Sequence, residues 1–236
     1  MHVNNETGAI QPVDQIGASL AKTHTLFHID ATQSAGKLIP EIQGLAYNMM
    51  SFSSHKMHGP QGVGGLILKK VRYHLPPVRP IMFGGPQEHG IRPGTLPTAL
   101  IAGLGRACEV AGRNYEEHQR RNDAIKSNLL KLLSESGVAY AINGSLDYGI
   151  STTLNISFPG ISSEALMLAV RPYCGISNGS ACTSSTYQHS HVLSAMGLSD
   201  ERIESAVRIS WDSDINDSEL FSEFSRILNI VRDFTT

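Results

Sequence analysis

The sequence predicts an α/β fold: a partial parallel-sheet domain over residues 1–112, followed by a small α+β domain over 113–236. Three observations predict it. Short apolar runs at 26–29, 49–52 and 66–68 are spaced by helical and turn-forming stretches, the alternation of a parallel sheet. Each of the first two runs stops at polar residues, Asp30 and Ser53. Around Gly112 apolar density falls and charge rises (Arg113, Glu116, Glu117, Arg120, Arg121), which places the boundary there. Ligands of such sheets gather at the carboxyl ends of the strands. Asn5, Asp30 and the stretch from Ser53 to Lys56 stand at such ends, so three segments are expected to converge on one crevice.

Length and composition narrow the classes. The 236 residues allow one large domain or two small ones. With 41% hydrophobic and 17% charged residues and a net charge of -2, the chain has the balance of a globular protein, and nothing points to nucleic acid. No apolar run approaches a membrane span, and the N-terminus lacks a signal-peptide pattern. Cys108, Cys174 and Cys182 are odd in number and widely spaced, which argues for reduced thiols in the cytoplasm rather than a disulfide scaffold. Among ten histidines are the pairs His55-x-x-His58 and His189-x-His191, without a carboxylate or cysteine at partner spacing, so no metal site is expected.

The elements follow in order. Residues 1–3 read as the end of a strand entering a polar turn, and Pro12 opens an amphipathic helix with Ile16 and Leu20 on one face. Residues 26–30 form a short buried strand ending at Asp30, and 31–37 a turn of small residues. The 49–52 strand, a glycine-rich loop and the 66–68 strand come next. The glycine-rich stretch 83–95 either binds a partner's phosphate, packs against a second subunit, or simply connects. A helical run from Thr98 towards Ser134 is expected to break or bend near Gly112. Beyond it, 152–158 alternates as a strand, and Ser162-Ser163-Glu164 opens a helix through Ala169. Residues 175–185 read as a mobile loop of small residues, 191–196 as a short helix, 206–210 as a strand and 218–234 as a terminal amphipathic helix.

The chemistry centres on Ser53-Ser54-His55-Lys56, between an apolar run and a Gly/Pro-rich turn. Alone, Lys56 is either a solvated loop lysine or a nucleophile whose proton is loosened by desolvation. Asp30 changes the balance. A carboxylate at one strand end and a lysine at another suit pyridoxal 5'-phosphate: the lysine forms a Schiff base, and the aspartate keeps the ring nitrogen protonated. Ser53, His55 and Thr95 would hold the phosphate, Gln33 the phenolic oxygen, and Asn5 that oxygen together with the substrate carboxylate.

Five motifs then bring a family into view: His2-Val3-Asn4-Asn5-Glu6, His28-Ile29-Asp30-Ala31-Thr32-Gln33, Ser51-Phe52-Ser53-Ser54-His55-Lys56, Arg92-Pro93-Gly94-Thr95-Leu96-Pro97 and Gly179-Ser180-Ala181-Cys182-Thr183-Ser184. In this set and order the chain resembles a NifS/IscS-type cysteine desulfurase, a class V aminotransferase-like enzyme of PLP fold type I. The resemblance implies that Lys56 binds the cofactor and shuttles a proton at the substrate's α-carbon. It implies further that Asp30 pairs with the ring nitrogen, Gln33 with the phenolic oxygen, and Ser53, Ser54 and His55 with the phosphate. Thr95 would reach the phosphate in the other subunit of a homodimer. Arg208 would grip the carboxylate of L-cysteine with its planar fork, and Cys182 would take up the sulfur as a persulfide for an acceptor or iron-sulfur scaffold protein. Cys108 and Cys174 match no role.

One departure from the family is its length. The chain begins where about 150 residues, a domain's worth, have passed in members of the family. The expected consequence is the absence of a phosphate-capping loop and of a histidine stacked on the ring, hence low activity alone. Two other functions compete: selenocysteine lyase, which uses the same residues, and a non-catalytic remnant that binds a sulfur acceptor.

Overall fold

The computed structural model describes residues 1–179 and 189–235. They divide into two units, Met1–Val3 with Gln11–Tyr115, and Asn4–Ile10 with Glu116–Thr236. The dividing point after Tyr115 lies inside a helix, and residues 4–10 join the second unit.

The first unit is built on the sheet β1 (His28–Asp30), β2 (Met49–Ser53) and β3 (Gly64–Leu68), in that order. β1 and β2 are parallel, with Asp30 opposite Ser51. β3 runs antiparallel to β2, with Ser53 opposite Gly64, so the sheet is parallel only in part. The link from β2 to β3 holds only a one-turn 3-10 helix (Ser54–Met57) and a tight loop. A parallel return needs a crossover of about a dozen or more residues, usually a helix, so the chain folds straight back. The α1 helix (Val13–Leu20) supplies the connection before β1, and α2 (Ile39–Gln43) the connection between β1 and β2.

Strand alternation sorts these side chains. Ile29 and Met50 point into a core with Val13, Ala31 and Leu45, whereas His28 and Asp30 are exposed on the other face. The buried face of α1 is Val13 and Gly17, not the expected Ile16, which is exposed. Gly17 lies against the Ala46 carbonyl, where any side chain would collide. That close approach turns the helix and leaves Ile16 outside.

The helix α3 (Thr98–Glu135) runs without interruption through Gly112, contrary to the expected break. A single helical glycine costs about 1 kcal/mol relative to alanine, and its flanks favour helix. Arg106 and Arg113 both pair with Glu109, at 2.7 and 2.5 Å. In the first unit α3 passes close over the loop after the 3-10 turn: a Cβ on Gly103 would come within 2.9 Å of the Pro60 ring, and one on Gly59 within 3.1 Å of Ala107.

The second unit contains the antiparallel sheet β4 (Ala141–Ile142), β5 (Thr153–Ser157) and β6 (Ala206–Ser210), in that order. Its core joins Leu154 and Ile156 of β5, Val207 and Ile209 of β6, Leu166 and Val170 of α4 (Ser163–Val170), and the apolar stripes of two long helices. Those stripes are Ile125, Leu129 and Leu133 on α3, and Phe224, Ile227, Leu228 and Val231 on α7 (Asp217–Thr235), the spacing of one helical face. Short helices α5 (His191–Ala195) and α6 (Asp200–Glu204) are capped by the hydroxyls of Ser190 and Ser199, which accept from Leu193 and Arg202 N–H. Among the described residues no helix is long and apolar enough to cross a membrane.

Candidate active site

In the first unit the candidate residues collect at one end of the β1–β2 pair. Asp30, Ser51 and Ser53 occupy one sheet face by strand alternation, and the chain then enters the 3-10 turn that holds His55 and Lys56. The Asp30 carboxylate accepts from the Thr32 N–H at 2.8 Å through Oδ1. Its second oxygen has no partner among the described residues. Ser53 Oγ and His55 Nδ1 are 2.8 Å apart, and on the same face His28 Nε2 lies 3.1 Å from Ser51 Oγ. The half-buried Lys56 makes no hydrogen bond or ion pair with the described residues. After it His58 takes the left-handed conformation (φ 62°) that closes the turn.

Ser54 is placed differently from its neighbours. It is fully buried beneath Gly59, and its hydroxyl has no hydrogen-bond partner among the described residues. Gln33 sits half-buried in the turn after β1. Thr95 is exposed in the loop before α3 and makes no hydrogen bond to the strand-end residues. His2 runs beside β1, its N–H donating to the Asp30 carbonyl at 2.8 Å. Burial holds its imidazole below the usual histidine range, opposed by Glu41.

A donor set of one amine without an ion-pair partner among the described residues, one carboxylate oxygen likewise without a partner among them, and a serine–histidine pair, all at one sheet end, fits pyridoxal phosphate. An amine suits its aldehyde, a carboxylate its protonated ring nitrogen, and a hydroxyl with an imidazole its phosphate.

In the second unit Arg208 and Asn5 come together. Arg208 sits on β6 opposite Asn155, and its guanidinium donates to the Asn5 carbonyl at 2.8 Å. Its backbone also pairs with Ser177, N–H to carbonyl at 2.6 Å and in return at 3.2 Å. Asn5 lies in a turn shaped by Asn4, whose Oδ1 accepts from the Glu6 and Thr7 N–H groups at 2.9 Å each. The Asn155 side chain donates to the Glu6 carbonyl at 3.2 Å, seating that turn on β5. Glu6 itself is buried, and the Ser190 hydroxyl donates to its carboxylate at 2.5 Å. Neither Glu6 nor Ser190 was singled out from sequence, although a serine three residues before Leu193 is a helix-start signal. Cys182 lies outside the described residues. His189 stands 3.8 Å from Asp200 and 3.6 Å from Glu204. No cluster of three or more potential metal ligands occurs among the described residues.

The model of the aminotransferase class-V family matches residues 1–219. The cysteine desulfurase IscS of Haemophilus influenzae (strain PittEE) is 41% identical over 211 residues, covering 89% of this chain and 51% of that protein. Among solved structures, a NifS-like protein superposes with a TM-score of 0.83 at 31% identity, covering 99% of this chain and 60% of the other. A structure described as SspA in complex with cysteine gives 0.69 at 34% identity, covering 89% and 56%. The chain spans about half the length of the curated relatives it matches. Its fold is that of the PLP-dependent fold type I enzymes, and the chain belongs to the aminotransferase class-V family.

Proposed function

We propose that this chain provides the lysine, the arginine and the reactive cysteine of a PLP-dependent cysteine desulfurase. The observation that supports it most is the meeting of Asp30, Ser53, His55 and Lys56 at one sheet end, with Lys56 and one Asp30 oxygen unpartnered among the described residues. Pyridoxal phosphate, when bound, supplies an electron sink for the substrate's α-carbon. Lys56 holds the cofactor through its amine and moves a proton at the α-carbon. Asp30 holds the proton on the ring nitrogen and Gln33 serves the phenolic oxygen; the role of Asn5 is to bind that oxygen and the substrate carboxylate. Ser53 and His55 bind the phosphate, Ser54 supports that turn from below, and Thr95 serves the partner's phosphate in a homodimer.

The substrate is L-cysteine, whose carboxylate Arg208 receives, one arm of its fork fixed by the Asn5 carbonyl. The Cys182 thiolate attacks the substrate sulfur. An S–S bond forms, the C–S bond breaks with its electron pair left on carbon, and a proton completes alanine. The enzyme persulfide then passes to a sulfur-acceptor protein, such as an iron-sulfur scaffold, in the reducing cytoplasm.

The test supplies the 236-residue chain with the N-terminal half of a homologous desulfurase, pyridoxal phosphate and L-cysteine. Peptide mass spectrometry is expected to find one added sulfur on Cys182, and borohydride to fix a pyridoxyl group on Lys56. Cys182→Ser keeps the pyridoxyl adduct and stops sulfide release. Normal sulfide release by that variant, or an adduct on Lys37 or Lys69 instead, would overturn the assignment.

A further inference from the structure

Glu6 is a fully buried carboxylate that the proposed chemistry does not use. Two features meet at it, both within the second unit. Ser190 Oγ donates to Glu6 Oε2 while accepting from the Leu193 N–H at 3.2 Å, so one hydroxyl both starts α5 and binds the carboxylate. Gly179 lies on the other side: a Cβ built there would be 3.5 Å from Glu6 Oε2 and 3.9 Å from Ser190 Cβ. Its φ of 132° is a conformation that glycine adopts readily. Gly179 is in turn tied to β6, because its carbonyl accepts from Ser177 Oγ and Ser177 pairs with Arg208. Residues 179 and 190 flank the stretch that includes Cys182. One flank is therefore bonded through Ser190 to a buried carboxylate and the other lies beside it at Gly179, on the turn whose Asn5 carbonyl holds Arg208.

We infer that Glu6 is a positioning residue: its carboxylate fastens the Ser190 flank of the cysteine-bearing segment, next to Gly179 of the other flank, to the turn that orients the substrate-binding arginine. A hydrogen bond to a charged acceptor is about twice as strong as a neutral one. One acid thus couples the turn whose Asn5 carbonyl holds Arg208 with the chain that flanks the Cys182 stretch in sequence. This rests on the desulfurase reading for its purpose, but not for its geometry.

Hydrogen exchange and persulfide formation test the inference together. In the 236-residue chain, Glu6→Ala is expected to speed exchange of the backbone amides of Ser177 and Leu193 by about tenfold. Glu6→Gln, which retains an acceptor for Ser190, stays within about twofold of the parent. Ser190→Ala removes the same bond from the other side and keeps the test decisive if Glu6→Ala does not fold. The double variant exchanges no faster than either single one. With the N-terminal half of a homologous desulfurase supplied, Glu6→Ala keeps the pyridoxyl adduct on Lys56 but forms persulfide on Cys182 about tenfold more slowly, and Glu6→Gln recovers it. Unchanged exchange in Glu6→Ala and Ser190→Ala overturns the clamp, as does additive behaviour of the double variant. Faster exchange with undiminished persulfide formation overturns the positioning role. If the parent forms no persulfide, the desulfurase reading fails, and exchange alone still decides whether Glu6 fastens the Ser190 flank.

Discussion

Cys174 and Cys108 are thiols in opposite settings. Cys108 is exposed on α3, whereas Cys174 is half-buried after α4, beside Glu223. Burial, and then the Glu223 charge, push the Cys174 thiol up, because both disfavour the thiolate. The thiolate is the species that alkylates. Cys174 should therefore lag behind Cys108 with iodoacetamide at about pH 8.5, the ordinary thiol range, and close the gap only at higher pH. Peptide mass spectrometry of timed quenches reads this. Equal rates at that pH would show that Cys174 is not shielded. The same logic separates a structural thiol from Cys182, for which the proposed role requires access.

At the scale of the element, β5 shows how one strand meets two demands. Leu154 and Ile156 enter the apolar core, while Asn155 and Ser157 are equally buried on the opposite side. That polar side is bonded throughout: Asn143 Nδ2 donates to Asn155 Oδ1 at 2.8 Å and Ser157 Oγ at 2.7 Å, and Arg202 Nε donates to Asn143 Oδ1 at 2.7 Å. Removing the central partner leaves buried groups unsatisfied, at about 1–3 kcal/mol each. Asn143→Ala should lower the denaturant midpoint of the chain by an amount corresponding to about 2–4 kcal/mol in total. A change under about 0.5 kcal/mol, the level of an ordinary surface substitution, would mean that the network is not supporting β5.

For the molecule as a whole, exposed apolar side chains concentrate in the first unit. Tyr73 is 95% exposed, Ile81 92% and Phe83 85%, and Leu66 on β3 is 50% exposed. Such a density of apolar surface marks contact regions or a tendency to associate. The 236 residues by themselves are therefore expected to bind a hydrophobic dye and to take up pyridoxal phosphate weakly. Adding the N-terminal half of a homologous desulfurase should lower dye fluorescence and restore the yellow colour together. Tight stoichiometric binding of the cofactor by the chain alone, without excess dye binding, would show that the exposed surface has no part in completing the site.

The sequence by itself determined the α/β character and most of the strands. Apolar runs with polar ends are local signals, and Asp30, Lys56 and Arg208 stood out as candidates because they sit in recognisable sequence motifs or elements. Tertiary structure decided what local signals cannot hold. The direction of β3 follows from the shortness of the Ser54–Val63 link and its pairing with β2. The burial of Ser54 follows from the close approach of Gly59 and α3. The continuity of α3 through Gly112 reflects cooperative helix formation outweighing one weak residue. Glu6 is the clearest case: in sequence it is an acidic residue in a polar turn, and only contacts 184 positions away, with Ser190, turn it into a buried anchor. Such pairing depends on which surfaces the fold brings together, which no window of neighbouring residues records.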